Sequence, residues 1–481
     1  MAVETPVPVT AERPAPRGLV AVLSLCGIVV ALMQTLVIPL LPQLPHLLGT
    51  SVENASWAVT ATLLAAAVLT PISGRLGDMF GKRRMLLVSL GAVVAGSLVC
   101  ALAESLLPMI AGRALQGAAT GAIPLGIAIL RDELPPRRIA GAMATISATL
   151  GVGGAVGFPV AAAIAQIADW HMLFAAAAGF GLLGIAMVLK VIPESPHRNP
   201  GRFDVVGAIG LSVTLTLLLL PVTKGGTWGW SNPLTLGMFA GAAGAALVWG
   251  YYELRTARPL VNLRISARRP VLLTNLASVA VGFAIYGQML AFPQLLMAPT
   301  ETGYGFGLSM VTAGVLIAPG GIVMMALSPV SARITGSHGP RVTLASGVVV
   351  VGAGYVLVYV AYTEIWHIVV AGMIIGAGIG LAYAAMPALI MGAVPLSETA
   401  AASSLNTLMR SIGTSTSAAV VSVVLAAMTT TVGTYTVPAL DGFRATFLLS
   451  IAASAVALAL TAAVPRARPR RAQPAVSDHC P

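Results

Sequence analysis

The chain is divided into fourteen apolar stretches, beginning near Leu19, Trp57, Met85, Ser105, Ala140, Trp170, Asp204, Asn232, Pro270, Leu308, Val342, Ile365, Ala400 and Phe443. No other feature constrains its fold as strongly. Each stretch approaches the roughly 20 residues that carry a helix across the hydrocarbon core of a bilayer. Inside lipid every backbone N–H and C=O has to find a partner within the protein, so runs of this length are expected as helices. Composition agrees: 57% of the residues are hydrophobic, 9% are charged, and the mean hydropathy is +0.90, far from an ordinary soluble domain. The expected class is an all-α polytopic membrane protein with fourteen transmembrane helices. The first apolar run has no small-residue cleavage site and reads as an uncleaved spanner.

The formal net charge of +11 is placed by the membrane rather than by a nucleic acid. With the N-terminus inside, one side holds Arg13, Arg17, Arg75, Lys82, Arg83, Arg84, Arg131, Arg137 and Arg138. The same side holds Lys190, Arg198, Arg202, the five arginines from Arg255 to Arg269, Arg333, Arg341 and the tail arginines. That is 23 of the 27 basic residues, a bias that marks the cytoplasmic side and makes the topology N-in and C-in. Lys224 and Arg444 fall outside, and Arg113 and Arg410 fall within apolar runs. Three cysteines (Cys26, Cys100 and Cys480) are too few for a disulfide framework. Lysine is scarce beside arginine, alanine and glycine, which suggests a GC-rich bacterial genome and hence a bacterial cytoplasmic (inner) membrane.

Five charges crowd into eleven residues at Gly74-Arg75-Leu76-Gly77-Asp78-Met79-Phe80-Gly81-Lys82-Arg83-Arg84. Such a short basic connection implies a membrane hairpin with its turn inside. Gly74, Gly77 and Gly81 allow a tight turn and close approach, and Asp78 can accept backbone hydrogen bonds or pair with an arginine. The stretch Ser328-Pro329-Val330-Ser331-Ala332-Arg333-Ile334 echoes Thr70-Pro71-Ile72-Ser73-Gly74-Arg75-Leu76 at a constant offset of 258, and Gly339 and Arg341 then match Gly81 and Arg83. Gly336 stands opposite Asp78, so the second copy lacks the carboxylate. A repeat in corresponding loops is what a transporter of two parallel bundles shows.

The eleven-residue stretch resembles the signature loop between the second and third helices of the major facilitator superfamily. The helix number directs the resemblance to the fourteen-spanner drug:proton antiporters. What it implies is two six-helix bundles plus an inserted helix pair. Residues 1–18 would be a disordered cytoplasmic lead, 19–190 the first bundle, 203–252 the insert, 270–464 the second bundle and 465–481 a basic tail.

The resemblance also nominates site residues. Arg113, in Gly112-Arg113-Ala114-Leu115-Gln116-Gly117, matches the fourth-helix motif whose arginine is associated with proton coupling. It lies nine residues past Glu104, roughly 13 Å along a helix. That is too deep for easy snorkelling, the simpler alternative. Asp78, Arg75 and Asp132 complete a coupling and gating set. Thr35 and Pro42 fit the first-helix pattern, but Met33 stands where the resemblance expects an aspartate. Gly153, Gly157 and Pro159 approximate the antiporter motif, with small-residue packing between halves explaining much of it. Arg410, four residues after Asn406, is either a cavity residue or a structural cation. Met33, Gln34, Gln116, Asn275, Tyr286, Gln288, Asn406 and Arg410 are the cavity candidates, and each polar one can equally be an interhelical hydrogen bond. His171 reads as a structural residue.

The resemblance implies a secondary exporter of hydrophobic small molecules, driven by the proton gradient without a bound cofactor or metal and expected to act as a monomer. A facilitator or lipid exporter of the same fold, and a non-transporting sensor, are the alternatives. The phosphate loop GxxxxGK[ST] and the enzyme motifs HExxH and GxSxG are absent from the sequence, so no enzyme is expected. Two buried arginines and no mid-membrane carboxylate point to neutral or anionic cargo.

Overall fold

The computed structural model describes residues 18–465 apart from 38, 39, 41, 42, 168, 195–197, 199, 200, 433 and 434. The expected lead and tail fall almost wholly outside the described residues, as do Pro42 and the side chain of Gln34. In chain order the long helices are α1 (Leu19–Thr35), α2 (Trp57–Phe80), α3 (Lys82–Ala101), α4 (Leu106–Glu133), α5 (Pro136–Ile167), α6 (His171–Val191) and α7 (Val205–Trp228). They continue as α8 (Pro233–Arg255), α9 (Arg269–Met297), α10 (Met310–His338), α11 (Pro340–Val360), α12 (Ile365–Ala393), α13 (Thr399–Ala427) and α14 (Leu440–Ala463). Among the described residues, twelve of these, α2–α4 and α6–α14, are long and apolar enough to cross a membrane. α1 is a shorter apolar helix, and α5 runs 32 residues with several side chains outside the description.

The turn expected within Gly74 to Arg84 is tighter than the whole charged stretch. α2 stays helical through Phe80, and the chain turns at the single residue Gly81, whose φ of 114° favours glycine. Gly339 turns the chain between α10 and α11 in the same way, at φ 86°. The repeat seen in the sequence is therefore a repeat of one-residue turns. Gly74 and Gly77 serve close approach instead. A methyl group on Gly74 would overlap Ser404 of α13, and one on Gly77 would overlap Leu125 of α4.

Helices α1–α6 share one apolar core and α9–α14 another. The bundles meet along two seams, α5 against α10 and α12, and α2 against α13. The most buried spans are α4, with 83% of its apolar window inside the protein, and α12, with 72%. α8 has only 11% and stands at the periphery. Its partner α7 packs on both α2 and α13, with Leu211, Leu215 and Leu219 against Ala67, Leu405 and Leu408. α7 thus covers one seam. Lys224, expected at the outer surface, is 1% exposed. It donates to the Glu53 carbonyl at 3.0 Å and to Ser56 Oγ at 2.5 Å, and lies 4.7 Å over the Trp57 ring, pinning the end of α7 to the start of α2. Asp169 accepts the His171 backbone N–H at 2.9 Å at the head of α6, and that bond holds its carboxyl below the usual range. A short hairpin, Thr429–Val432 with Tyr435–Pro438, joins α13 to α14.

Candidate functional site

Arg113 is 1% exposed and is the largest of the fully buried side chains. Its Nε donates to the Ala58 carbonyl at 3.1 Å, and one terminal nitrogen donates to the Met33 carbonyl at 3.0 Å and to Gln116 Oε1 at 2.5 Å. Gln116 Nε2 donates onward to Ser97 Oγ at 2.8 Å, and Thr62 Oγ1 donates to the Arg113 carbonyl at 3.1 Å. Among the described residues no acid pairs with Arg113. Its counter-charge is structural: the Met33 carbonyl belongs to the last turn of α1, whose carbonyls lack helical partners and carry the negative end of the helix dipole. Where the resemblance expects an aspartate, Met33 supplies its backbone oxygen.

Asp78 shows the same logic with opposite sign. It is 1% exposed, and its carboxylate accepts the backbone N–H groups of Ala400 at 3.3 Å and Ala401 at 2.9 Å. These are orphan donors in the first turn of α13, at the positive end of that helix. A side chain of the first bundle therefore caps a helix of the second. From the end of α4, Arg131 donates to Thr399 Oγ1 at 2.7 Å and to the Val394 carbonyl at 3.2 Å, bridging the same two bundles. Asp132 pairs with Lys82 Nζ at 2.6 Å, both side chains fully buried. Arg75 lines a cavity of about 250 Å³ with Arg258, Asn262 and Glu398. Together these contacts close the Asp78 face.

Two expected results follow directly. Gly74→Val places methyl groups where Ser404 Oγ and the Ala400 carbonyl stand, so the α2–α13 seam cannot close. Thiol labelling from the Asp78 face should then reach buried positions of α13 that the parent protein protects. Lys82→Ala strips Asp132 of its ammonium partner, a loss of about 3–5 kcal/mol for a buried pair. A paired replacement by Met and Leu should recover much of the thermal stability of the detergent-solubilised protein. Equal melting of single and double variants would contradict the assignment.

Toward the opposite face a cavity of about 550 Å³ lies between α5 of the first bundle and α9, α10 and α12 of the second. Met289, Met297, Met310 and Met324 contribute soft apolar wall, and Gln288 and Gln294 are its polar side chains. No ionisable side chain lines it among the described residues. Of the cavity candidates with described side chains only Gln288 borders this space. Met33 and Gln116 belong to the Arg113 network. Asn406 donates to Asn275 Oδ1 at 2.9 Å and to Ser278 Oγ at 2.8 Å, an interhelical knot. Tyr286 is half-buried beside the cavity helix wall. Arg410 stacks 4.4 Å over the Tyr383 ring, one helical turn beyond the cavity residue Ile379.

Gly153, expected at the interface between the halves, lies elsewhere. Gly153 packs against Ala31 and Ile28 of α1, within the first bundle, while Gly151 meets Met324 across the seam and Gly154 opens into the cavity. Gly157 is buried and Pro159 half-buried inside the α5 helix. The sequence reading missed the hairpin, whose Val437 and Pro438 close the cavity wall. The β-branched runs Thr429-Thr430-Thr431-Val432 and Thr436-Val437 were its signal.

Residues 23–418 match the sequence profile of the Major Facilitator Superfamily. An uncharacterized MFS-type transporter of Mycobacterium tuberculosis is 26% identical over 414 residues, which is 84% of this chain and 58% of that protein. The multidrug resistance protein Stp of the same organism is 25% identical over 80% of this chain and 72% of its own length. A Streptomyces coelicolor protein named "Probable actinorhodin transporter" is 27% identical over 76% and 65% respectively. The fold resembles that of the human organic anion transporter MFSD10, at a TM-score of 0.67 and 17% identity, covering 94% of this chain and all of that one. It equally resembles the proton:xylose symporter XylE, at 0.67 and 12% identity, covering 93% of this chain and 95% of that one.

Proposed function

The chain belongs to the Major Facilitator Superfamily, and from that premise we propose that it is a secondary active exporter of hydrophobic small molecules by proton-coupled alternating access. We read it as a fourteen-spanner of the drug:proton antiporter branch, N-in and C-in, monomeric, in the cytoplasmic (inner) membrane of a bacterium. The observation that carries the reading is the apolar cavity of about 550 Å³ between the bundles, with its opposite face shut by Asp78 and Arg131. A site of that size, walled by methionines and glycines and carrying two amides, favours drug-sized cargo held by diffuse contact. The lack of an acid among the described residues of its wall favours neutral or anionic cargo over lipophilic cations. Names such as multidrug resistance protein among the relatives agree with export.

The test uses purified full-length protein in sealed liposomes with an imposed pH gradient and a panel of cationic, neutral and anionic compounds. Uptake of the neutral and anionic members, coupled to opposite proton movement, is expected. Transport of cations alone would overturn the cargo assignment. The alternative, a facilitator indifferent to the gradient, is favoured by one observation: among the described residues no carboxylate pairs with Arg113. Uptake unchanged when the gradient is collapsed would select it. Gly154→Phe identifies the cavity independently, because nothing stands within 4 Å of a Cβ at that position and the ring enters open space. It should cut uptake of larger compounds at least about tenfold, equivalent to about 1.4 kcal/mol, while leaving thermal stability near that of the parent.

A further inference from the structure

Glu253, near the end of α8, is 2% exposed, and among the described residues neither of its carboxyl oxygens receives a hydrogen bond. The closest donors are the backbone N–H groups of Leu260 and Val261 and the Trp249 indole, and that indole is committed to the Gly207 carbonyl at 2.9 Å. Facing Glu253 is Asp204, 9% exposed, at the head of α7. A methyl group on Gly207 would overlap Asp204 Oδ2 and lie 2.7 Å from Glu253 Oε1, so the two carboxyl groups meet across one helical turn.

Their surroundings differ in a way that separates their roles. Asp204 accepts the Gly207 N–H at 2.8 Å, the Tyr252 hydroxyl at 3.0 Å and the Leu260 N–H at 3.4 Å. Three donors answer the Asp204 carboxylate, and among the described residues none is bonded to Glu253, whose buried charge is therefore the costlier of the two. The neighbouring cations are occupied elsewhere. Arg255 stacks 4.4 Å over Tyr251, Arg264 donates to the Leu254 carbonyl at 2.8 Å, and Arg258 lies against Gly201 and shares its cavity with Arg75 of α2. Arg202 is exposed. From the start of α13 the facing charge is Glu398, which accepts from Asn262 Nδ2 at 3.4 Å. Among the described residues no cation pairs with Asp204 or Glu253. Two buried carboxylates this close, without a cation, do not both ionise.

We propose that Asp204 and Glu253 form a proton-binding site in which Glu253 carries the proton and Asp204 stays ionised, and that loss of this proton loosens the insert from the α2–α13 seam. The proton leaves to water; no other bond is made or broken. The second negative charge then repels Asp204, which holds both the head of α7 and Leu260. Leu260 begins the segment that reaches Asn262 and, through it, Glu398 beside the Asp78 gate. The site is independent of cargo and of transport direction.

The experiment is an infrared pH titration of the full-length protein in lipid nanodiscs, paired with hydrogen exchange at residues 205–210 and 256–262. In the wild type a protonated-carboxyl band should fade on alkalinisation, and exchange should rise roughly tenfold beyond base catalysis, one pKa unit's worth of coupling. Glu253→Gln, which mimics the protonated acid, should lack the band and the rise. Asp204→Asn should move the fading to lower pH, because the repelling neighbour is gone. A band that survives in Glu253→Gln, or that fades at an unchanged pH in Asp204→Asn, would overturn the proposal. Should Glu253→Gln fail to fold, the wild type and Asp204→Asn decide alone, and a wild type without a fading band also rejects it.

Discussion

Arg113→Ala is expected to abolish transport and to lower the melting temperature of the purified protein by many degrees. The guanidinium is the common donor to the Ala58 carbonyl, the Met33 carbonyl and Gln116, which lie on α2, α1 and α4. Each buried acceptor left without a donor costs about 1–3 kcal/mol. Three of them together approach the whole stability of a typical folded domain, about 5–15 kcal/mol. Arg113→Lys separates structure from function. An ammonium keeps the charge at the α1 terminus but lacks the planar fork with which the guanidinium reaches three divergent acceptors. It should retain more stability than alanine while still losing coupled uptake in liposomes. If Arg113→Ala melted and transported like the parent, the arginine would have no part in the cycle.

Asp78→Asn should unlock the closed face without unfolding the protein. The asparagine keeps one acceptor but turns an amide NH2 toward the α13 donors and removes the charge that answers the helix dipole. Charge-assisted hydrogen bonds contribute about 1.5–3 kcal/mol, so the closed state should lose roughly one to two decades of population. A cysteine at Ser404, buried in the seam, reports it in a background lacking Cys26, Cys100 and Cys480. An impermeant thiol reagent applied from the Asp78 face should label the Asp78→Asn protein at least about tenfold faster. Equal labelling rates would mean that Arg131 and the α2–α13 packing hold the gate without the carboxylate.

The two charges share a principle that reading along the chain did not reach. Asp78 takes the first of its two expected roles, accepting backbone hydrogen bonds, and both charges are answered by the end of another helix. A helix terminus carries its partial charge on backbone groups, which leave no mark in side-chain composition. The partner of Asp78 is therefore invisible until α13 is seen to start beside α2. Lys82 and Asp132 were easier to anticipate, because both sit in charged segments at the same membrane face.

By itself the amino-acid sequence determined the membrane class, the approximate start of each long helix, the duplicated turn at Gly81 and Gly339, and the places where charge enters an apolar segment. These are local properties: an apolar run of about 20 residues in lipid satisfies its backbone as a helix, and a charge within it has to be answered. The tertiary structure alone decided which face of each helix looks inward. Helices that are apolar on all sides carry no stripe to announce their packing, so Gly153 turned to α1 and Gly151 to the other bundle, and Asn406 closed a knot instead of lining a cavity. It also decided that α7 covers the α2–α13 seam and that its head sets Asp204 against Glu253. Residues 49 apart in sequence meet only when two helices pack, and no period along the chain encodes that meeting.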